Sequence, residues 1–483
     1  MAITAIKNAS WVVAWDVTRA SHVYYRNADV VFDEGLFTFG GPVYRGTADR
    51  TFEGRGLMVM RGFVNVHAHP TSEPGNKGLL EEMGSVRLGQ SSLYEFMPVF
   101  RLPPEAATAA TQVAVGELLK SGVTTLVDLS LPRQNWGEEL LATGIRAVLC
   151  PMYRSASWST ANGHSVDYHF DAVAGERAMK EALDIVDGAL GHDSDRLSAM
   201  VGPAQIDTCT PELLRDSFAE AKARGVPLQI HAAQSVVEFN EIMTRHGLTP
   251  VEYLDRLGLL GPELIIGHGI FLNDHPWLHR PHHDDFGLLV GSKAGVAHCP
   301  TIFARRGIAL NTLGRYVAAG VPVGLGTDTF PHNMVDEQRL AALIPRVLVG
   351  DYQAGSTQLA FNAATIGGAG LLKRPDLGRI APGCCADFSL VDVGHPAMQP
   401  LRDPLRSLIH SASDRPIRDV FVAGQRVVEN GQLRHIDLEP ALEALNRAQA
   451  QAMATAHERD WAKRDVDTLS PRVFPVVDPR GSS

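Results

Sequence analysis

Short apolar runs recur along the middle of the chain, at 63–67, 124–129, 147–151, 198–202, 227–231, 264–268, 295–298 and 322–328. Their length and their flanking Gly and Pro residues suit buried strands. Stretches with helix signals lie between them. Residues 104–121 are heavy in Ala, Val and Leu. Residues 211–224 have Thr210 at the N-cap position, Pro211 in the first helical position and Gly225 just past the end. Strands alternating with helices predict βα units and a parallel sheet. Eight such units predict the α/β class and a (β/α)8 TIM barrel, whose active site lies at the C-terminal tips of its strands.

The two ends of the chain follow a different pattern. Strand-like segments at 2–6, 11–15, 28–32 and 41–44 are separated by Gly, Asp and Asn. β character returns at 378–434, where 417–428 reads as a hairpin turning at Ala423-Gly424. These segments are expected to form one discontinuous small β-sandwich. The resulting division is 1–59 and 378–436 for the sandwich, 60–377 for the barrel, and 437–483 for a C-terminal helix and tail. The helix should run to about Arg464, and the Pro-rich end from Pro471 should be irregular.

Composition narrows the function classes. Hydrophobic residues make up 45% of the chain and charged residues 20%, ordinary values for a globular protein. A net charge of −10 argues against nucleic acid as a partner. No run approaches the roughly 18 apolar residues of a membrane span. Five cysteines without a CxxC pair argue against a disulfide framework or a zinc–thiolate site. The N-terminus lacks a basic segment followed by a long apolar one. The expectation is a reduced, cytoplasmic, soluble protein.

The chemistry-bearing residues fall at the strand tips. His67 and His69 flank one residue at the end of the first run, and alternate residues of a strand share a face. Two imidazoles placed in this way can grip one divalent metal. His231, His268 and Asp328 end the fifth, sixth and eighth runs.

With these residues in place the chain resembles the amidohydrolase superfamily, in particular the branch of triazine chlorohydrolases and guanine, cytosine and adenosine-type deaminases. The matching patches are 64–70, 119–125, His298-Cys299-Pro300-Thr301, 324–328, 336–343 and 378–387. The resemblance implies one metal held by His67, His69, His231 and Asp328, with His268 beside the attacking water or the substrate. Neutral imidazoles and a carboxylate suit zinc first, with Fe, Mn or Co as alternatives. Asp328 would accept the water's proton and His268 would stabilise developing charge. The fourth run has no lysine that could bridge a second metal, so one ion is expected. A homodimer or homotetramer is a further implication of the resemblance.

Three departures from the deaminase pattern shift the reaction class. A ring-protonating Glu is expected three residues after the fifth-strand His, but Gln234 stands there. Ala204 replaces a heterocycle-contacting His, and Phe303 ends a motif that usually reads C-P-x-S-N. A carboxamide hydrogen-bonds but neither gives nor takes a proton. Ring deamination needs that proton, whereas cleavage of an amide, urea or carbamate does not. The expected function is therefore metal-dependent hydrolysis of such a C–N bond in a mostly apolar small molecule. Deamination or dechlorination of a triazine, purine or pyrimidine-like ring is the alternative, and a metal-free scaffold a third.

Among the remaining candidates, His164 is placed as a substrate contact. Glu73, Glu81 and Glu82 follow the first strand, but Pro74, Gly75 and Gly78 give their stretch the composition of a surface loop. Arg305-Arg306 reads as a solvated pair, with recognition of an anionic substrate group as the functional alternative. Cys299 reads as a packing residue.

Overall fold

The computed structural model describes residues 3–79, 85–310 and 313–477. Glu81 and Glu82 lie outside these residues. The eight runs form Phe63–Ala68, Val123–Ser130, Arg146–Tyr153, a fourth strand split into Leu197–Ala199 and Gly202–Pro203, Leu228–Ala232, Leu264–His268, Gly295–His298 and Val323–Leu325. Successive strands pair in parallel within two groups of four. Parallel bridges Val201–Leu228 and Gln205–His231 join the fourth strand to the fifth, and Ala68–Asp328 joins the first to the eighth. The strands thus close into a ring.

Helices occupy every connection between ring strands. The helix Pro211–Arg224 follows its sequence signals closely. The Thr210 hydroxyl accepts from the Leu213 amide at 3.2 Å, and Gly225 leaves the helix with φ 66°. The eighth strand is shorter than its apolar run: regular pairing ends at Leu325, and only the isolated bridge to Ala68 follows at Asp328, where φ is 58°.

Strands from both chain ends meet in one nine-stranded sheet. Leu57–Arg61 is the junction, parallel to Thr4–Asp16 and antiparallel to Phe388–Asp392. Two expected N-terminal strands are in fact one, Thr4–Asp16, interrupted by a bulge between Ile6 and Ala9 with Asn8 at φ 59°. The strand expected at 41–44 lies earlier, at Leu36–Gly41. The hairpin between Ile417–Val422 and Gln425–Glu429 turns at Ala423 and Gly424, both with positive φ, as expected.

In place of the two separate sheets of a sandwich, this single sheet curls over its own core. Phe32 and Phe421 lie on strands that have three others between them, yet their ring centroids are 6.0 Å apart. Flat strands so separated would stand roughly 19 Å apart, at ~4.8 Å per step. The curled sheet abuts the starting ends of the ring strands. Arg146, the first residue of the third ring strand, donates to both carboxylate oxygens of buried Asp387 at 2.9 and 3.3 Å. The opposite ends of the strands are left for the site. Among the described residues, no helix is long and apolar enough to cross a membrane.

Candidate metal centre

His67, His69, His231, His268 and Asp328 converge at the C-terminal tips of the ring strands. Asp328 Oδ1 is 3.6 Å from His67 Nε2 and 3.3 Å from His69 Nε2, and its Oδ2 is 3.8 Å from His268 Nε2. His231 Nε2 lies 3.3 Å from His69 Nε2. Two glycines make room for this convergence. A Cβ on Gly267 would meet the His67 ring at 2.9 Å, and one on Gly326 would meet His67 Cβ at 2.6 Å.

The outer nitrogens are tied off. His69 Nδ1 donates to the Leu129 carbonyl at 2.7 Å, and His231 Nδ1 donates to the Ala204 carbonyl at 2.6 Å. Gln229 donates its Nε2 to the Val66 carbonyl at 3.0 Å, which leaves its Oε1 to accept from His67 Nδ1. Each of the three rings therefore directs an Nε2 lone pair inward. His67 Nε2 is buried without a hydrogen-bond partner. Facing lone pairs beside a carboxylate are unfavourable unless a cation lies among them. Two ligand groups meet this need, His67–His69–His231 and His67–His268–Asp328, and the donor set fits one divalent transition metal.

Electrostatics divide the five residues. Burial pushes His231 and His268 well below the usual imidazole range. Burial also opposes protonation of His69, but the Asp328 carboxylate outweighs it and holds that ring at about 8, so that without a metal its Nε2 carries a proton which a bound cation would displace. Burial alone would raise the Asp328 carboxyl; the charges and hydrogen bonds of His268, His67 and His69 instead hold it well below the ordinary range. Two of these strand-tip residues have unusual backbones, with φ 151° at His268 and 58° at Asp328. Such conformations cluster at functional sites.

The expected substrate contacts fare differently. Gln234 is buried and its Nε2 has no hydrogen-bond partner. Its backbone amide and that of Ala233 both donate to the Glu238 carboxylate, at 3.1 and 2.6 Å. Phe303 packs its ring 4.7 Å from that of His268. Ala204 is buried and reaches the site through its carbonyl. His164 is not brought in. It is exposed, and its Nδ1 contacts the Asn162 carbonyl of its own turn at 3.0 Å. The turn chemistry of Asn162 and Gly163 outweighs any inward reach.

Glu73 corrects the surface-loop reading. It lies in a buried 3-10 turn, Glu73–Asn76, and burial lifts its carboxyl to about 7, with the nearby charges of His69, Asp328 and Arg306 adding smaller effects. Its Oε2 accepts from Asn76 at 3.2 Å, and its Oε1 is buried without a partner. Arg306 is half-buried and donates its Nη2 to the Ser92 hydroxyl at 2.6 Å; burial pushes its guanidinium down, and the charges of Asp328 and Glu73 oppose that. Asn65 carried no signal beyond its place two residues before His67. Its Oδ1 accepts from the His67 and Thr327 amides, both at 3.2 Å. Cys299 is fully buried, and burial pushes its thiol well above the usual range.

Comparison with known proteins gives a consistent picture. The family model described as the amidohydrolase family matches residues 58–427. The 5-methylthioadenosine/S-adenosylhomocysteine deaminase of Natronomonas pharaonis is 29% identical over 437 residues, covering 89% of this chain and 95% of that protein. The 5'-deoxyadenosine deaminase of Methanothermobacter thermautotrophicus is 26% identical over 430 residues, covering 88% and 95%. Among solved structures, an adenosine deaminase from Xanthomonas campestris with bound zinc superposes with a TM-score of 0.81 at 22% identity, covering 93% of this chain and 98% of that one. Atrazine chlorohydrolase TrzN from Arthrobacter aurescens TC1 complexed with zinc gives 0.76 at 21% identity, covering 92% and 100%.

Proposed function

Because the chain belongs to the amidohydrolase family, we propose that it is a mononuclear metal-dependent hydrolase cleaving an amide, urea or carbamate C–N bond in a mostly apolar small molecule. The ring of strands is read as the (β/α)8 barrel of residues 60–377. The curled sheet is read as the discontinuous domain of 1–59 and 378–436, and 437–483 as the terminal helix and tail. His67, His69, His231 and Asp328 are assigned as the metal ligands. Zinc is the preferred ion, as in the two solved relatives named above.

One observation carries the choice of reaction: the residue three positions after His231 is Gln234, a buried carboxamide with an unpartnered Nε2. It can donate a hydrogen bond to a carbonyl oxygen or a ring nitrogen but cannot protonate either. A bound divalent ion supplies Lewis acidity and brings water toward a pKa of ~7. Asp328, ionised at neutral pH, takes a proton from the attacking water and passes it to the leaving amine. Gln234 and neutral His268 face the charge that develops on the substrate oxygen. Phe303 provides an apolar wall against His268.

Ring deamination is the second reading, and two observations favour it. Two of the relatives named above, matching 89% and 88% of this chain, are deaminases. Buried Glu73, near His69 and held at about 7, could supply the proton that Gln234 cannot.

Elemental analysis and a substrate panel decide among these readings. About one equivalent of divalent metal is expected, lost in His67→Ala and His231→Ala, with turnover of amides, ureas or carbamates. Fast ammonia release from an aminated heterocycle, near the ~10 s⁻¹ median, would overturn the primary reading in favour of deamination. A protein with neither metal nor turnover would be a scaffold.

A further inference from the structure

Arg306 has a place in the site that the reaction described above does not use. The helix Pro300–Arg305 follows the seventh ring strand and carries Phe303, whose ring lies against His268. Arg306 is the C-cap residue of this helix, three residues after Phe303. The ionised groups whose charge it feels are Asp328, Glu73 and Arg305. It is half-buried, and its contact with Ser92, two residues before the Tyr94 that hydrogen-bonds Ser235, sets it beside the fifth strand tip.

Its guanidinium is held but not used up. Nη2 donates to the Ser92 hydroxyl at 2.6 Å. Among the described residues no carboxylate forms an ion pair with it; of the two fully buried guanidinium groups, Arg146 has Asp387 and Arg61 donates to the Cys385 carbonyl. The two nearby carboxyl groups make their contacts elsewhere, although Glu73 Oε1 has no partner. Asp328 faces three imidazoles, and Glu73 takes the Asn76 carboxamide. Neighbouring Arg305 differs, with Nη1 on the Phe330 carbonyl at 2.9 Å and its guanidinium over the Phe330 ring. The segment that anchors Arg306 also anchors the fifth strand tip, since Tyr94 hydrogen-bonds Ser235 at 3.0 Å, next to Gln234. The Gln234 and Arg306 donors are thus fixed by one short stretch of chain.

We infer that Arg306 binds a carboxylate on the substrate, so that the molecule cleaved at this site is a monoanion with an apolar body. The planar guanidinium fork matches a carboxylate through two parallel hydrogen bonds. A partly desolvated cation without a counter-ion is unfavourable, and such a substrate supplies one. The nearby Asp328 and Glu73 disfavour a dianion such as a phosphate ester, which would meet more repulsion than a carboxylate. The inference names the substrate class of the hydrolase reading and rests on it for the position of the cleaved bond.

The test is direct binding to the zinc-loaded, full-length protein by calorimetry. The probes are N-acetyl-L-phenylalanine, its neutral amide and phenyl phosphate. The acid should bind about tenfold or more tightly than the amide, the scale of one charge-assisted pair. Arg306→Gln should erase that preference and Arg306→Lys should retain part of it, with zinc content and melting temperature unchanged. Equal affinities, no binding of the acid, a preference that survives in Arg306→Gln, or tighter binding of phenyl phosphate would each overturn the inference. Turnover on the amide, urea and carbamate panel is read separately. Hydrolysis without any preference for the acid refutes the role of Arg306 alone. An Arg306-dependent preference without hydrolysis refutes the hydrolase reading alone.

Discussion

Asp328 sits at φ 58° while its carboxylate faces His67, His69 and His268, so both its backbone and its charge are committed to the centre. Asp328→Asn keeps the shape but accepts no proton. Its kcat should fall by at least the ~10²–10⁴-fold typical of a general base, and near-normal kcat would show that another residue activates the water. Gln234→Glu should not raise the native rate, because an amide leaving group does not call on that position. A severalfold gain in kcat would point instead to ring chemistry. Residues at this scale were legible where they close an apolar run, as His67, His69, His231, His268 and Asp328 do. Glu73 was not, because Pro74, Gly75 and Gly78 give its segment a loop-like composition. Its burial depends on a distant contact: Gln449 of the C-terminal helix Leu438–Ala454 donates to the Gly75 and Lys77 carbonyls at 2.7 and 2.8 Å.

At the scale of elements, the site depends on how strand tips are held against one another. Asn65 joins the first and eighth ring strands. Its Oδ1 accepts from the His67 and Thr327 amides, and its Nδ2 donates to the Thr327 hydroxyl at 2.9 Å. Asn65→Ala would leave two buried amides unpaired, at about 1–3 kcal/mol each. Metal affinity should fall about 10–100-fold, as for other groups that orient ligands, with the fold retained. Competition with a chelator measures this, and unchanged affinity would remove Asn65 from the support of the centre. Glu238 plays a comparable part at the fifth tip, where Ala233 has φ 53°. The spacing Ser235-x-x-Glu238 could have revealed it, since it matches the signature of a capped helix start. The curl of the nine-stranded sheet had no such signal. Alternation along a strand tells which side chains share a face, not which strands become neighbours, and the bulge near Asn8 made one long strand read as two.

Across the whole molecule, the two chain ends are fastened to the ring at the end opposite the site. Arg146 and Asp387 form that link, both buried, and Asp387 also accepts from the Ala423 amide at 2.7 Å. Burial alone would raise the Asp387 carboxyl, but the Arg146 and Arg61 charges outweigh it and hold it below the ordinary range. A depressed carboxylate stabilises the fold above its unfolded value of ~3.9, and that stability is lost as pH falls through the folded value. Arg146→Met should therefore destabilise strongly at pH 7, by about 3–5 kcal/mol, because it leaves a buried charge without its main partner. In that variant burial dominates and the Asp387 carboxyl rises. Its native state then takes up a proton more readily than the unfolded chain as the pH is lowered. The difference in melting temperature between the wild type and Arg146→Met should consequently narrow between pH 7 and about pH 4.5. Thermal unfolding of both metal-free proteins across this range measures it. A constant or widening difference would mean that the Arg146–Asp387 pair does not carry the charge balance between sheet and ring.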